Sequence, residues 1–518
     1  MSKVKRVKSF LYYFKIKKLQ NQKKLQKTKF NASGFCKGFH CGNKMTNPYK
    51  IITNEWRYGN DKMNTSKATA FRKRKQITHK EVEGELNVLK KMWVLMLVTV
   101  LLLSACSSGG GGKSASGGDE KTNEITVWAW DKAFNVAAME TAKEAYQKAN
   151  PDVKINIIEY AQADIIQKLN TGLNSGTASG LPNVVLIEDY RSQSFLNAYP
   201  DAFKDLSSSI TASDFADYKL GPTAFDGKQY GVPFDSGVAG LYYRTDLLEQ
   251  AGYKAADLQD ITWDDYIQIG KDVKAKTGKE LLSLDPNDLG LIRMMIQTAG
   301  KWYSAEDGKT PDIANNAALK EAFITYKAMM DANIVKLHSD WSQFVANANN
   351  GSVATIPTGN WFSPSVRQEA SQSGKWAVAP IPKMAGQANS VHASNLGGSS
   401  WYVMNNVPGA DQAADFVAKT FGSDKQLYQD LLNNIGAIGT YKPAVDGDAY
   451  AKADEYFGGQ KIFTDFANWT KEIPSVNYGI NTYAIEDILV VEMQAFLNGK
   501  SIDDVLADAQ KQAEAQLN

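Results

Sequence analysis

Cysteine is scarce in this chain: Cys36, Cys41 and Cys106 are the only three among 518 residues. Beyond Cys106 no pair remains for a disulfide, so the bulk of the chain must be held by an apolar core. Cys36 and Cys41, with His40 between them, lack the second ligand pair of a structural zinc site, and no metal is expected there. Histidine is also sparse, with only His338 and His392 after Cys106. Neither G-x-S-x-G nor H-E-x-x-H occurs, which removes two common hydrolase signatures. Gly112-Lys113-Ser114 ends like a phosphate-binding loop, but Ser107 stands where its first glycine is required and no strand precedes it. The apolar run Met92 to Leu103 is twelve residues, short of the ~20 needed to span a bilayer.

What is present is a globular composition, 43% hydrophobic and 22% charged, with its charge split along the chain. Residues 1–105 carry 24 Lys and Arg against 5 Asp and Glu, whereas residues 106–518 carry 34 against 51. The acidic part is not expected to bind nucleic acid, because phosphate contacts need clustered cations. The Lys-rich leader contains Phe71-Arg72-Lys73-Arg74-Lys75, which read literally is a basic nucleic-acid arm.

The junction of the two parts is the most informative stretch. Lys90-Lys91 and the run that follows have the charge and length of a signal-peptide n-region and core. Leu103-Ser104-Ala105-Cys106 resembles the bacterial lipobox, in which small residues admit the peptidase and the thiol takes a diacylglycerol. Residues 88–105 are therefore expected to be a lipoprotein signal peptide, and Cys106 the lipidated first residue of the mature chain. A buried core segment ending in a chance cysteine is the alternative. Lipid on Cys106 would anchor the chain in the cell membrane on its extracytoplasmic face, the extracellular side in a Gram-positive bacterium. Residues 1–87 are expected to be an upstream stretch translated from a wrong start. Glu83-Gly84-Glu85 can encode a purine-rich ribosome-binding site just before Val88 or Leu89, the expected start. Residues 106–121 form a Gly/Ser tether.

From Glu124 the pattern alternates between strands and helices. Ile125 to Trp128 reads as a strand, Phe134 to Ala149 as a helix stopped by Asn150-Pro151, and Val153 to Ile157 as a second strand. A helix carrying Ile165, Ile166, Leu169 and Leu173 follows, then a strand from Val184 to Ile187. Such alternation predicts a parallel sheet, with ligands beyond the carboxyl ends of its strands. Trp130 and Asp131 stand there after the first strand, and Glu188, Asp189 and Tyr190 after the third. Any one of these polar groups could instead cap the next helix. Tyr230 to Asp235 and Leu241 to Arg244 read as strands joined across Ser236-Gly237, and Thr262-Trp263-Asp264-Asp265 opens a helix with a capping-box pattern.

In order, Asp226 to Pro233 (DGKQYGVP), Tyr242 to Leu248 (YYRTDLL), Thr262 to Asp265, Gly351 to Trp361 (GSVATIPTGNW), Ala379 to Pro382 (APIP) and Asn395 to Gly398 (NLGG) resemble the family 1 extracellular solute-binding proteins, the group that includes maltose-binding protein. The resemblance covers nearly all of residues 122–518. It implies an α/β, type II periplasmic-binding-protein fold of two lobes joined by hinge strands. The N-lobe is expected over 122–235 and 396–437, the C-lobe over 238–394 and 438–518. It further implies a receptor without cofactor or catalytic residue, which captures a solute between the lobes and delivers it to the transmembrane subunits of an ABC permease.

Carbohydrate is the expected cargo, because a sugar pairs an apolar C–H face with a rim of hydroxyls and is met by aromatic rings plus carboxylates and amides. Nine of the 11 Trp lie beyond Cys106. By position in the family, Trp361 resembles a platform Trp and Tyr483 falls in a C-terminal aromatic contact region. Asp131, Glu188, Asp189 and Asp235 fall at strand ends facing the cleft, and Asn287 and Asp288 near a contact loop. Tyr190, Asn360 and Gly398 complete the expected contacts. Asn360-Trp361 is expected to follow a strand from Val353 to Ile356 and a Pro-Thr-Gly turn. Trp302, Trp401 and Trp469 read more readily as core. Asp235-Ser236 stands where maltose-binding protein has a glutamate, so maltose is not implied. A polyamine, metal or peptide cargo suits the acidic charge, and a glycan-cleaving enzyme remains a further alternative.

Overall fold

A computed structural model describes residues 122–517. The expected signal peptide, Cys106, the tether and the Cys36/His40/Cys41 group lie outside these residues. No helix among the described residues is long and apolar enough to cross a membrane.

Strand β1 (Glu124–Ala129) pairs in parallel with β2 (Lys154–Glu159) and β3 (Val184–Glu188). Between β1 and β2 runs a turn of π-helix, Lys132–Val136, continued by the helix Ala137–Gln147, which ends before Asn150-Pro151. The short strands β4 (Ala224–Phe225) and β5 (Lys228–Gln229) form a ribbon. β6 (Gly231–Pro233) belongs to the first sheet, whereas β7 (Ala239–Arg244) begins a second. β8 (Leu282–Leu284) and β9 (Val335–Leu337) pair in parallel, and β10 (Thr355–Gly359) and β11 (Trp376–Ala379) flank β7 antiparallel. β12 (Ser399–Val403) returns to the first sheet and lies antiparallel between β3 and β6.

The first sheet therefore has the order β2-β1-β3-β12-β6 and is mixed, not wholly parallel as expected. Its parallel part comes from successive strand–helix units, whereas β6 leads into the first crossing to the second sheet and β12 arrives from the crossing back. Side chains alternate between its two faces. Val184 and Leu186 of β3 and Trp401 and Val403 of β12 enter one core, while Val185, Ile187 and Tyr402 enter another. The second sheet is covered on both faces in the same way: Leu241 and Tyr243 of β7 face one cluster, Tyr242 the opposite one. Period-two placement of apolar residues on both faces is what a fully covered sheet requires. The strands with internal or terminal proline, β10 with Pro357 and β6 with Pro233, are sheet edges, where a missing N–H leaves no ladder bond unmade. Pro357-Thr358-Gly359 is therefore strand, not the expected turn.

Three segments cross between the sheets side by side. Asp235 bridges to Gly439 and Val238 to Asn395. The Ser236 N–H donates to the Ile438 carbonyl at 2.8 Å, and the Leu396 N–H to the Gly237 carbonyl at 2.7 Å. A Cβ on Gly237 would lie 2.5 Å from that neighbouring Leu396 carbonyl, so only glycine lets the segments touch. Packing runs past the expected lobe boundary at 437: Tyr441 and Ala444 join the first sheet's core, with Tyr441 stacked on Tyr428 at 5.6 Å. The geometry is a pair of α/β lobes connected by a three-segment hinge.

Candidate functional site

The carboxyl end of β1 delivers Trp130 and Asp131. Asp131 has φ 60° and ψ 95°, a costly conformation for a residue with a Cβ, and its Oδ1 accepts from the Ala133 N–H at 3.1 Å. Strain of this kind at a strand end is tolerated where neighbouring groups must be held in one place. Trp130 is half-buried against the two cores of the first sheet and lines a small hollow with Glu188 and Arg191.

Glu188 ends β3, and Arg191 lies on the helix that follows, Asp189–Ala198. Both reach Tyr483, on the helix Thr482–Leu497 of the second lobe. The Tyr483 hydroxyl donates to Glu188 Oε2 at 2.5 Å, and the Arg191 guanidinium lies 3.6 Å from the ring centre. Burial, reinforced by the Glu188 carboxylate, pushes the Tyr483 phenol well above its ordinary range. One turn further along that helix, Glu486 accepts from the Tyr303 hydroxyl at 2.9 Å and pairs with Arg293 at 3.4 Å. Desolvation lifts the Glu486 carboxyl despite the lowering pull of Arg293. Arg293 also meets Asp288 at 3.2 Å, whose Oδ1 caps the helix Gly290–Thr298 by accepting from the Gly290 N–H. Asn287 and Asp288 are exposed beside it. A polar wall of alternating charge thus joins the two lobes.

Trp361 faces the hinge. Its indole N–H donates to the Leu396 carbonyl at 2.7 Å, its ring lies over Gly359, and it packs against cores of both lobes. The neighbouring Asn360 is buried, and neither its Oδ1 nor its Nδ2 finds a partner among the described residues. A buried amide with both ends unmet costs about 1–3 kcal/mol.

Three expected contacts have their polar groups committed inside the fold. Asp189 is fully buried; its Oδ2 accepts from Lys219 Nζ at 2.5 Å and its Oδ1 from Ser400 Oγ at 2.9 Å. Asp235 Oδ1 accepts from the Ser399 N–H and hydroxyl, both at 2.7 Å. Lys219 also donates to the carbonyls of Asp235 and Ser399, fastening these strand ends together. Desolvation raises Asp189 to about 6 against the lowering pull of Lys219. Tyr190 is buried between lobes, stacked on Trp302 at 5.3 Å and edge-on to Tyr478 at 4.7 Å, its hydroxyl donating to the Asn395 carbonyl. Gly398, at φ +85°, contributes backbone: its carbonyl accepts from the Asp189 N–H, and a Cβ there would sit 2.9 Å from Asp189 Oδ2. Standing at a strand end places these residues at the junction without distinguishing the surface that faces a solute from the floor beneath it.

Sequence reasoning passed over Lys219, Arg191, Arg293 and Trp341. Nothing in Asp217 to Thr223 (DYKLGPT) marks a buried lysine. Trp341 was findable as a Trp opening a polar helix, Trp341–Asn349, behind the N-cap Asp340. Trp302 and Trp401 are buried and Trp469 half-buried against the second lobe's core.

Aromatic faces and a polar wall, gathered where two hinged lobes meet, define a solute receptor. The chain belongs to the bacterial extracellular solute-binding protein family, which residues 141–458 match. It is 45% identical over 394 residues to the lactose-binding protein of Rhizobium radiobacter, covering 76% of this chain and 93% of that one. It is 25% identical over 372 residues to the arabinooligosaccharide-binding protein of Halalkalibacterium halodurans, 69% of this chain and 81% of that one. Its fold is similar to that of the galacto-N-biose/lacto-N-biose I-binding protein of the ABC transporter from Bifidobacterium longum, solved with lacto-N-biose. That match has a TM-score of 0.62 at 21% identity and covers 76% of this chain and 96% of that one.

Proposed function

We propose that this chain is the carbohydrate receptor of an ABC importer, taking a disaccharide or short oligosaccharide between its lobes and presenting it to the permease. The observation that carries this reading is the lobe junction, where Trp130 lies beside Glu188 and Arg191, Tyr483 reaches across to both, and Trp361 packs against the cores of both lobes. Rings of that kind remove the C–H face of a sugar from water, and the charged groups bond its hydroxyls. Resemblance at 45% identity to a lactose-binding protein supports a sugar, and a β-galactoside in particular. The receptor binds without transforming its cargo and is tethered to the outer face of the membrane by lipid on Cys106.

Binding to the folded state raises stability by RT ln(1 + [L]/Kd), about 2.7 kcal/mol at a hundredfold excess over Kd. A thermal-shift series with lactose, other galactosides and arabinooligosaccharides is expected to give a clear rise with a sugar. A rise with polyamines, peptides or metal ions alone would overturn the cargo, and appearance of cleaved sugar would overturn the receptor.

A further inference from the structure

Among the described residues, Trp341 is the one tryptophan that stands out as an exposed large side chain, at 53%. Its position is set by its neighbours. Asp340 caps its helix by accepting from the Gln343 N–H at 2.9 Å, and Phe344 and Phe362 support the indole at ring distances of 5.6 and 5.9 Å. Behind the helix start, Ser283 Oγ hydrogen-bonds His338 Nδ1 at 2.8 Å and accepts from Asn347 Nδ2 at 2.9 Å. A rigidly backed indole left half in water holds apolar surface that folding alone does not cover.

One relation connects it to the site. Its ring centre lies 5.8 Å from that of Trp361, with the planes tilted by 44°. Two tilted indoles side by side suit successive rings of a glycoside, whose mean planes twist at the linkage, better than one flat ring.

We infer that Trp341 is the platform of an outer subsite for the second sugar ring, with Trp361 holding the first, so that it sets preference for a disaccharide over its component monosaccharides. This rests on the carbohydrate reading of the site. Trp341 is fixed before ligand arrives, so its contact costs little ordering entropy and appears as affinity that only a two-ring ligand collects.

The test is calorimetric titration of the whole chain, as wild type, Trp341→Ala, Trp341→Phe and Trp361→Ala, with lactose and with galactose. Trp341→Ala is expected to lower the ratio of lactose to galactose affinity at least tenfold, with Trp341→Phe between it and wild type. Trp361→Ala is expected to weaken both ligands. An unchanged ratio in Trp341→Ala overturns the outer subsite while leaving the receptor reading intact. Loss of uptake in cells by Trp341→Ala with unchanged affinities would assign the indole to contact with the permease and likewise overturn it. Failure of the wild type to bind lactose would overturn the subsite as stated, and only failure across the whole sugar series of the thermal-shift test would remove the carbohydrate reading.

Discussion

Replacing Trp361 with alanine separates what its ring does for the fold from what it does for a ligand. The indole is neither open nor fully covered: its N–H is spent on the Leu396 carbonyl and part of the ring packs against both lobes. A fully covered aromatic side chain buries about 150–250 Å². Taking half of that as already covered gives about 100 Å², or about 2.5 kcal/mol of folding stability at ~25 cal/mol per Å². The indole hydrogen bond adds about 1 kcal/mol. The ring surface still free, of similar area, gives about 2 kcal/mol of affinity when a sugar covers it, near a thirtyfold change in Kd. Trp361→Ala should therefore lose about 3–4 kcal/mol of apo stability in urea titration and about thirtyfold in affinity by calorimetry. Trp361→Phe keeps a flat face and loses the N–H, so it should lose about 1 kcal/mol of stability and little affinity. A Phe variant that binds as poorly as the Ala variant would refute stacking. An Ala variant that is destabilised with unaltered affinity would place the ring wholly in the core.

Lys219→Met leaves the Asp189 carboxylate buried without its cation and should cost about 3–5 kcal/mol; adding Asp189→Leu should restore much of it, and additive losses in the double variant would contradict the pairing. Asp189 is raised to about 6 in the fold against 3.8 when free, so the native state holds a proton that the unfolded chain releases. Its contribution to stability is therefore largest below about pH 4 and lost as pH rises through about 6. Urea midpoints of wild type and Asp189→Asn should diverge between pH 4 and pH 6, and a difference independent of pH would rule this out. Cys106→Ser should leave the cell-associated protein in the aqueous phase on detergent partition, whereas wild type enters the detergent phase; identical partition would end the lipid-anchor proposal.

Local elements were readable because local physics makes them. The alternation in Glu124–Ala129 and the Thr262/Asp265 capping box, with the Thr262 hydroxyl accepting from the Asp265 N–H at 3.2 Å, depend on residues within a few positions. The mixed sheet was not readable, since no periodicity in Ser399–Val403 shows that it pairs antiparallel to Val184–Glu188. The site divided along the same line. Trp130, Glu188 and Trp361 are found by following strands to their ends. That Asp189, one residue after Glu188, turns inward depends on Lys219, thirty positions away on another helix. Arg191 owes its place to Tyr483 of the partner lobe, and Arg293 to Glu486 on a helix far along the chain, which no short window of sequence contains.

The position of β12 between β3 and β6 has a consequence for the order in which the molecule forms. Until Ser399–Val403 has been made, β6 has no neighbour in the first sheet, and β3 has only one. At about 5–20 residues per second, the roughly 280 residues from β1 to the end of β12 take roughly 15–60 s to synthesise. Throughout that interval the first lobe lacks an inner strand and cannot close its core, however favourable its helices are. A chain delayed in this way stays threadable while it is being made. Cutting it before residue 399 would leave the β3 edge open, β6 unpaired and the hinge without its third segment, not a smaller receptor.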